Sequence, residues 1–132
     1  MDSFSDLYSK QVLDHFRHPR NMGEIKSPDA TATVGGAACG DIMRLFIKVG
    51  EKKGKKYIQE VKFQTLGCAA AIATSSIITT MIKGKTLDRA EKITQKTVED
   101  SLGGLPPAKR HCALLAAQGV KKAIDNYLAT NK

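Results

Sequence analysis

The sequence predicts an α/β (α+β) chain in which a small antiparallel sheet is packed against several helices. Two runs predict the sheet. Residues 42–49 and 57–65 both alternate apolar and polar side chains, and only a short charged segment, 50–56, separates them. The remainder predicts the helices. From Cys68 onward the period of two gives way to an Ala-rich run and then to a stripe at helical spacing.

Taken in order, Ser3 or Ser5 is placed to cap a first helix running to about Phe16. Tyr8, Val12 and Phe16 fall at i, i+4 and i+8 and make a narrow apolar stripe. Pro19 ends that helix, residues 20–23 read as a turn, and a loop containing Pro28 follows. Residues 31–34 have strand propensity. In the next run Met43, Leu45, Ile47 and Val49 share one face, with Arg44 and Lys48 on the other. In the run after it Tyr57, Val61 and Phe63 oppose Glu60, Lys62 and Gln64, so the sheet has one covered face. Residues 68–83 form a helix with Gly84 as its stop, and Thr86-Leu87-Asp88 opens a shorter one. Thr97, with Asp100 three residues on, starts a further turn. Gly103-Gly104-Leu105-Pro106-Pro107 is a break. The last helix spans about 109–128, with Val120, Ile124 and Leu128 as its buried stripe. No repeat, linker or low-complexity segment interrupts the chain, so residues 1–132 are expected to form a single domain.

The composition narrows the function classes. No apolar run approaches the ~20 residues that span a bilayer, and the first six residues lack the pattern of a signal or transit peptide. A cytoplasmic protein with no membrane partner is expected. Lys and Arg exceed Asp and Glu by 21 to 13, a net charge of +8, which raises nucleic acid as a partner. The lysines are dispersed, however, and aromatics are only 5% with no tryptophan, which leaves few platforms for stacking bases. Solvated surface, or a face for acidic proteins, is the expected use of the charge, with no nucleic-acid partner.

Three cysteines carry the chemistry. Cys39 lies among glycines in Gly35-Gly36-Ala37-Ala38-Cys39-Gly40-Asp41, where a loop can wrap on a metal. Cys68 follows Gly67 at a helix start, and Cys112 follows His111 in the first turn of the last helix. A helix N-terminus favours thiolate, the form that binds metal, and Lys109 and Arg110 add positive charge near Cys112. An odd number of thiols cannot complete a disulfide framework. Three sulfurs, an imidazole and a carboxylate make a ligand set for zinc or an iron–sulfur cluster. Asp41 is two residues from Cys39, so on a strand both would project from one face. Carboxylate is a labile ligand beside thiolate, which suits a protein that builds a cluster and gives it away. Adjacent helix residues point ~100° apart, so His111 and Cys112 do not read as a nucleophile with its general base.

At this point the chain resembles the IscU/NifU-type iron–sulfur cluster assembly scaffolds over nearly its whole length. The matching stretches are His18-Pro19-Arg20-Asn21 with Gly23, Ala38-Cys39-Gly40-Asp41, Gly67-Cys68 with Ser75-Ser76, Lys83-Gly84-Lys85, and Leu105-Pro106-Pro107-Ala108-Lys109-Arg110-His111-Cys112. The resemblance implies a SufE/NifU-like fold: a three-stranded antiparallel sheet with helices on one side. It implies a scaffold, not an enzyme, on which a transient 2Fe-2S cluster is assembled and then transferred. Cys39, Cys68 and Cys112 would hold the cluster, with Asp41 or His111 as exchangeable fourth ligand and Lys109 in the site. It further implies sulfur delivery by a cysteine desulfurase with Cys112 as persulfide acceptor, and electrons from a ferredoxin. A DnaK-type chaperone with its co-chaperone, apo iron–sulfur acceptor proteins, a homodimer when cluster-bound and zinc in the apo form complete the expectations.

Three positions depart from that pattern. Gly36-Ala37 replaces Ala-Pro ahead of Cys39, Ala108 replaces valine in the chaperone-recognition segment, and Arg110 replaces an apolar residue. A related branch, the zinc-dependent sulfur acceptors, carries an insertion before its third cysteine and lacks a histidine matching His111. Here His111 is present and the step from Cys68 to Cys112 is 112 − 68 = 44 residues. A basic nucleic-acid-binding zinc module is the third reading.

Overall fold

The alternating runs become one three-stranded antiparallel sheet in the order β1-β2-β3: β1 (Ala30–Gly36), β2 (Asp41–Lys52) and β3 (Lys55–Leu66). The computed structural model describes residues 8–36 and 40–130. Before the sheet lies α1 (Lys10–Arg17), and after it α2 (Ala69–Ile82), α3 (Leu87–Glu91) and α4 (Gln95–Ser101). A 3-10 turn, Pro107–Lys109, then runs into α5 (Arg110–Thr130).

Lys53 and Gly54 close the hairpin between β2 and β3 with φ of 52° and 78°, the two positive values that match the twist of flanking strands. Met43, Leu45 and Ile47 face the helices in one core with Val61, Phe63, Ile78, Ile82, Val98, Leu102, Val120 and Ile124. Burying side chains of this size stabilises by about 1.5–3 kcal/mol each. The predicted phase of β3 holds only from Val61 onward. Lys48 pairs with Glu60 but Val49 pairs with Ile58, so Gln59 is an extra residue in β3. The bulge puts Ile58 in the core at 0% exposed and leaves Tyr57, expected beside Val61, half-buried off that face.

Both edges of the sheet are partly covered. On β1, Lys122 donates to the Thr33 carbonyl at 2.9 Å and Asn126 to the Thr31 carbonyl at 2.8 Å, both from α5. On β3, Gly23 N–H donates to the Phe63 carbonyl and Phe63 N–H to the Asn21 carbonyl, at 2.8 and 2.9 Å. Further along, Ile58 exchanges bonds of 2.8 Å with Lys85 and Gly84.

The helix boundaries correct several expectations. α1 is capped by Ser9, whose Oγ accepts from Val12 N–H at 3.1 Å and whose hydroxyl donates to the Leu102 carbonyl. Tyr8 therefore precedes the helix, and Ser3 and Ser5 lie outside the described residues. α4 is capped by Thr94, which accepts from Thr97 N–H at 3.2 Å, so Thr97 is inside the first turn and does not start it. In α5 the buried stripe is Val120, Ile124 and Tyr127; Leu128, expected to continue it, is 46% exposed. One hundred degrees per residue carries position 128 off the face that a spacing of four suggests, and Tyr127 keeps its hydroxyl in reach of Lys56 at 3.1 Å.

The His18-Pro19-Arg20-Asn21 stretch has a structural use. Ser76 Oγ, buried on α2, accepts from Arg20 N–H at 2.9 Å and lies 2.7 Å from His15 Nδ1. Its proton is thus available to His15 Nδ1, which favours neutral imidazole. Asn21 donates to Thr79 Oγ1 at 3.1 Å, and Thr79 donates to the Arg20 carbonyl at 3.3 Å. Burial, then the charge of Arg20, lowers the His15 pKa from its ordinary 6.5. A folded-state pKa below the unfolded one gives a contribution that is complete above about pH 6.5 and lost as pH falls toward the lower value. Urea midpoints measured from about pH 7.5 to about pH 5.5 should therefore fall further for the parent than for His15→Gln. Parallel losses in the two proteins would place the titration at another group.

Candidate metal centre

Three elements end at one place. Asp41 is the first residue of β2, Cys68 is the N-cap of α2, and His111 and Cys112 lie in the first turn of α5. His111 Nε2 is 2.7 Å from Asp41 Oδ2. Cys112 Sγ is 3.7 Å from that same oxygen and 3.7 Å from His111 Nε2. Asp41 Oδ1 also accepts from Cys68 N–H at 3.4 Å. An oxygen, a nitrogen and a sulfur thus lie within 4.8 Å of one another. Ligands at ~2.0–2.3 Å around a tetrahedral zinc sit about 3.3–3.8 Å apart. Both sulfur separations already suit that geometry, whereas the Asp41–His111 bond has to open for a metal to enter.

Burial grades across the site. Cys112 is 1% and Asp41 7% exposed, Cys68 is half-buried and His111 is exposed, so a metal would meet His111 first. A small glycine makes the packing possible. A Cβ on Gly67 would collide with Asp41 Oδ1 and stand 2.9 Å from the Ala71 methyl.

The electrostatics differ from the expectation for Cys112. Its thiol is pushed far up by burial first, then by the negative charges of Cys68 and Asp41. Desolvation outweighs the helix terminus, and the two cations expected to help face elsewhere. Lys109 is raised first by the charge of Cys68 and less by that of Cys112, so this ammonium acts mainly on Cys68. Arg110 turns away to Glu99, with Nε 2.7 Å from Oε1. His111 and Cys112, expected to diverge, converge because Asp41 stands between them.

Of the residues singled out in the sequence, Asp41, His111 and Cys112 meet directly, and Cys68 and Lys109 stand beside them. Cys39 and the loop that lacks the proline lie outside the described residues. Tyr8 was missed. It packs with Cys68 and Leu105 on the cluster of Ala70, Ala71 and Cys112. Its phenol is raised by burial and then by Cys68, with Lys109 opposing. In the sequence Tyr8 offers only its place in an apolar stripe, and nothing there marks it as a neighbour of the thiols.

The family profile described as NifU-like N terminal domain matches residues 7–132. The chain belongs to that family. Among NifU-like relatives, iron-sulfur cluster assembly scaffold protein IscU 1 of Archaeoglobus fulgidus is 50% identical over 125 residues, covering 95% of this chain and 79% of the relative. The protein named IscU scaffold in Buchnera aphidicola subsp. Baizongia pistaciae is 48% identical over 128 residues, covering 95% and 98%. The mitochondrial iron sulfur cluster assembly protein 1 of Debaryomyces hansenii is 45% identical, covering 92% and 68%. The solved N-terminal NifU-like protein of Brucella abortus superposes with a TM-score of 0.69 at 21% identity, covering 97% of this chain and 99% of the other. The family resemblance and the NifU-like α+β fold, with its three-stranded antiparallel sheet, are borne out. Among the described residues, no helix is long and apolar enough to cross a membrane.

Gly67→Ala should lower stability by about 1–3 kcal/mol, because neither Asp41 nor Ala71 can retreat without losing a buried contact. Urea unfolding measures this directly. A loss under ~0.5 kcal/mol would mean that the start of α2 has slack the packing does not suggest.

Proposed function

We propose that residues 1–132 are one cytoplasmic scaffold domain on which a 2Fe-2S cluster is assembled and from which it passes to apo iron–sulfur acceptors. The observation that carries this reading is the meeting of Asp41, His111 and Cys112 within ligand distance beside Cys68. Its support is the naming of relatives up to 50% identical as cluster assembly scaffolds. Cys39, Cys68 and Cys112 supply thiolates, and Asp41 or His111 supplies the fourth, exchangeable bond. The protein hosts assembly and has no substrate turnover of its own.

Sulfur enters as the sulfane sulfur of a cysteine desulfurase persulfide. The Cys112 thiolate attacks that outer sulfur, a new S–S bond forms on Cys112, and the desulfurase thiolate leaves. Two electrons, delivered one at a time by a ferredoxin, then reduce the sulfane sulfur to sulfide and restore the Cys112 thiolate. Because the buried Cys112 thiol holds its proton, the transfer needs a base, and the Asp41–His111 pair at 3.7 Å is placed to accept it. Lys109 offers a positive charge to Cys68 and to incoming sulfide. Zinc occupies the same ligands in the apo form. A DnaK-type chaperone with its co-chaperone promotes release, and two copies share the cluster where one chain's ligands are too few.

Anaerobic reconstitution with ferrous iron and sulfide, followed by mixing with apo-ferredoxin, tests this. A coloured species near two irons per chain or per dimer that moves to the ferredoxin is the expected result. Tight zinc with no transferable cluster would instead favour a zinc-dependent sulfur acceptor serving a desulfurase. In Asp41→Ala the bound cluster should persist longer, since the labile bond is removed. Faster loss would end the argument for a labile carboxylate.

A further inference from the structure

α4 reaches across to the start of α5 with two side chains from one of its faces. Glu99 takes a two-pronged bond from Arg110, whose Nε donates to Oε1 at 2.7 Å and Nη2 to Oε2 at 3.3 Å. Gln95, one turn earlier, donates to the main-chain carbonyl of the same Arg110 at 3.2 Å. Glu99 is 7% exposed, and α4 is seated in the core through Val98 and Leu102, both at 0%. The anchor is therefore firm, and what it grips is the residue immediately before His111 and Cys112.

The covalent path between the two helices bends sharply, and the side-chain contact spans it. It passes through Gly103 and Gly104, with φ of 73° and 97°, before the 3-10 turn at Pro107–Lys109. Arg110 is also an unfavourable choice for its own helix, since a cation at a helix N-terminus faces the positive end of the dipole. No acidic residue occupies the first turn of α5 to offset it. A planar guanidinium bonded at both prongs fixes orientation as well as distance.

We propose that Glu99 and Arg110 are positioning residues for the metal centre. Their paired contact sets the orientation in which His111 and Cys112 meet Asp41, and so sets how tightly a divalent transition-metal ion is held there. This rests on the reading that these side chains bind metal.

Cobalt(II), added to the full chain and followed by its ligand-field and thiolate absorption, is the probe. Arg110→Leu should weaken cobalt binding by ~10–100-fold, the range for residues that orient a ligand from behind it, and should change the absorption spectrum. Arg110→Lys should recover part of the affinity, and the charge-swapped pair E99R/R110E more of it. An unchanged affinity and spectrum in Arg110→Leu, with only a lower urea midpoint, would overturn the proposal. If Arg110→Leu does not fold, the neutral pair E99Q/R110Q carries the same comparison. In the metal-free protein, amide exchange at residues 110–113 should be about tenfold faster in the variant while α2 stays unchanged. Acceleration spread evenly over the chain, or none, counts against a positioning role. A parent that takes up no cobalt would overturn the metal reading above, and the metal-free exchange would still decide whether the contact orders the turn.

Discussion

Asp41 is a buried carboxylate on which three elements converge. At the first position of β2 it takes a bond from His111 on α5 through one oxygen and from the main chain at Cys68, ahead of α2, through the other. Burying a carboxylate without partners is costly, and here the partners are a main-chain N–H at the start of α2 and an imidazole from the first turn of α5. The surrounding sequence follows from that requirement. Gly67 has no side chain because Asp41 occupies the space. The small Ala70 and Ala71 let α2 begin close to Cys112. His111 extends back over the first turn of α5, which is how two adjacent residues reach one oxygen.

The arrangement makes the two described thiols unlike one another. Cys68 is half-buried at the rim with an ammonium beside it. Cys112 is enclosed, faces negative charge, and keeps its proton. A positive ion reverses that balance, because it supplies the charge that burial and Asp41 withhold from the Cys112 thiolate. Were an ion to bind there as proposed, its uptake and proton release at Cys112 would be linked, and the Asp41–His111 bond would open in the same event.

Much of the fold was legible because it rests on periodicity, and periodicity is a property of the sequence itself. The alternation of Met43, Leu45 and Ile47 places β2, and Gly84 stops α2 at the expected position. What could not be read depends on contacts between distant residues. Nothing near Gln59 announces the bulge that exchanges Tyr57 for Ile58, since it appears only once β2 supplies a register. Thr97 has the residue type of a cap, but the helix begins one turn earlier, where Thr94 caps it. Asp41, His111 and Cys112, which meet at the site, were singled out by residue type and spacing. The protonation of Cys112 and the direction of Arg110 were not legible, because each is fixed by a neighbour brought in from another element.

Both margins of the sheet are partly occupied. Lys122 and Asn126 bond the outward carbonyls of β1, and Asn21, Gly23, Gly84 and Lys85 bond the outward groups of β3. Unpaired strand margins are the usual template for runaway association between copies. At Thr31, Thr33, Ile58 and Phe63 a fourth strand would have to displace bonds already made. That cover limits the aggregation that an open β margin would invite.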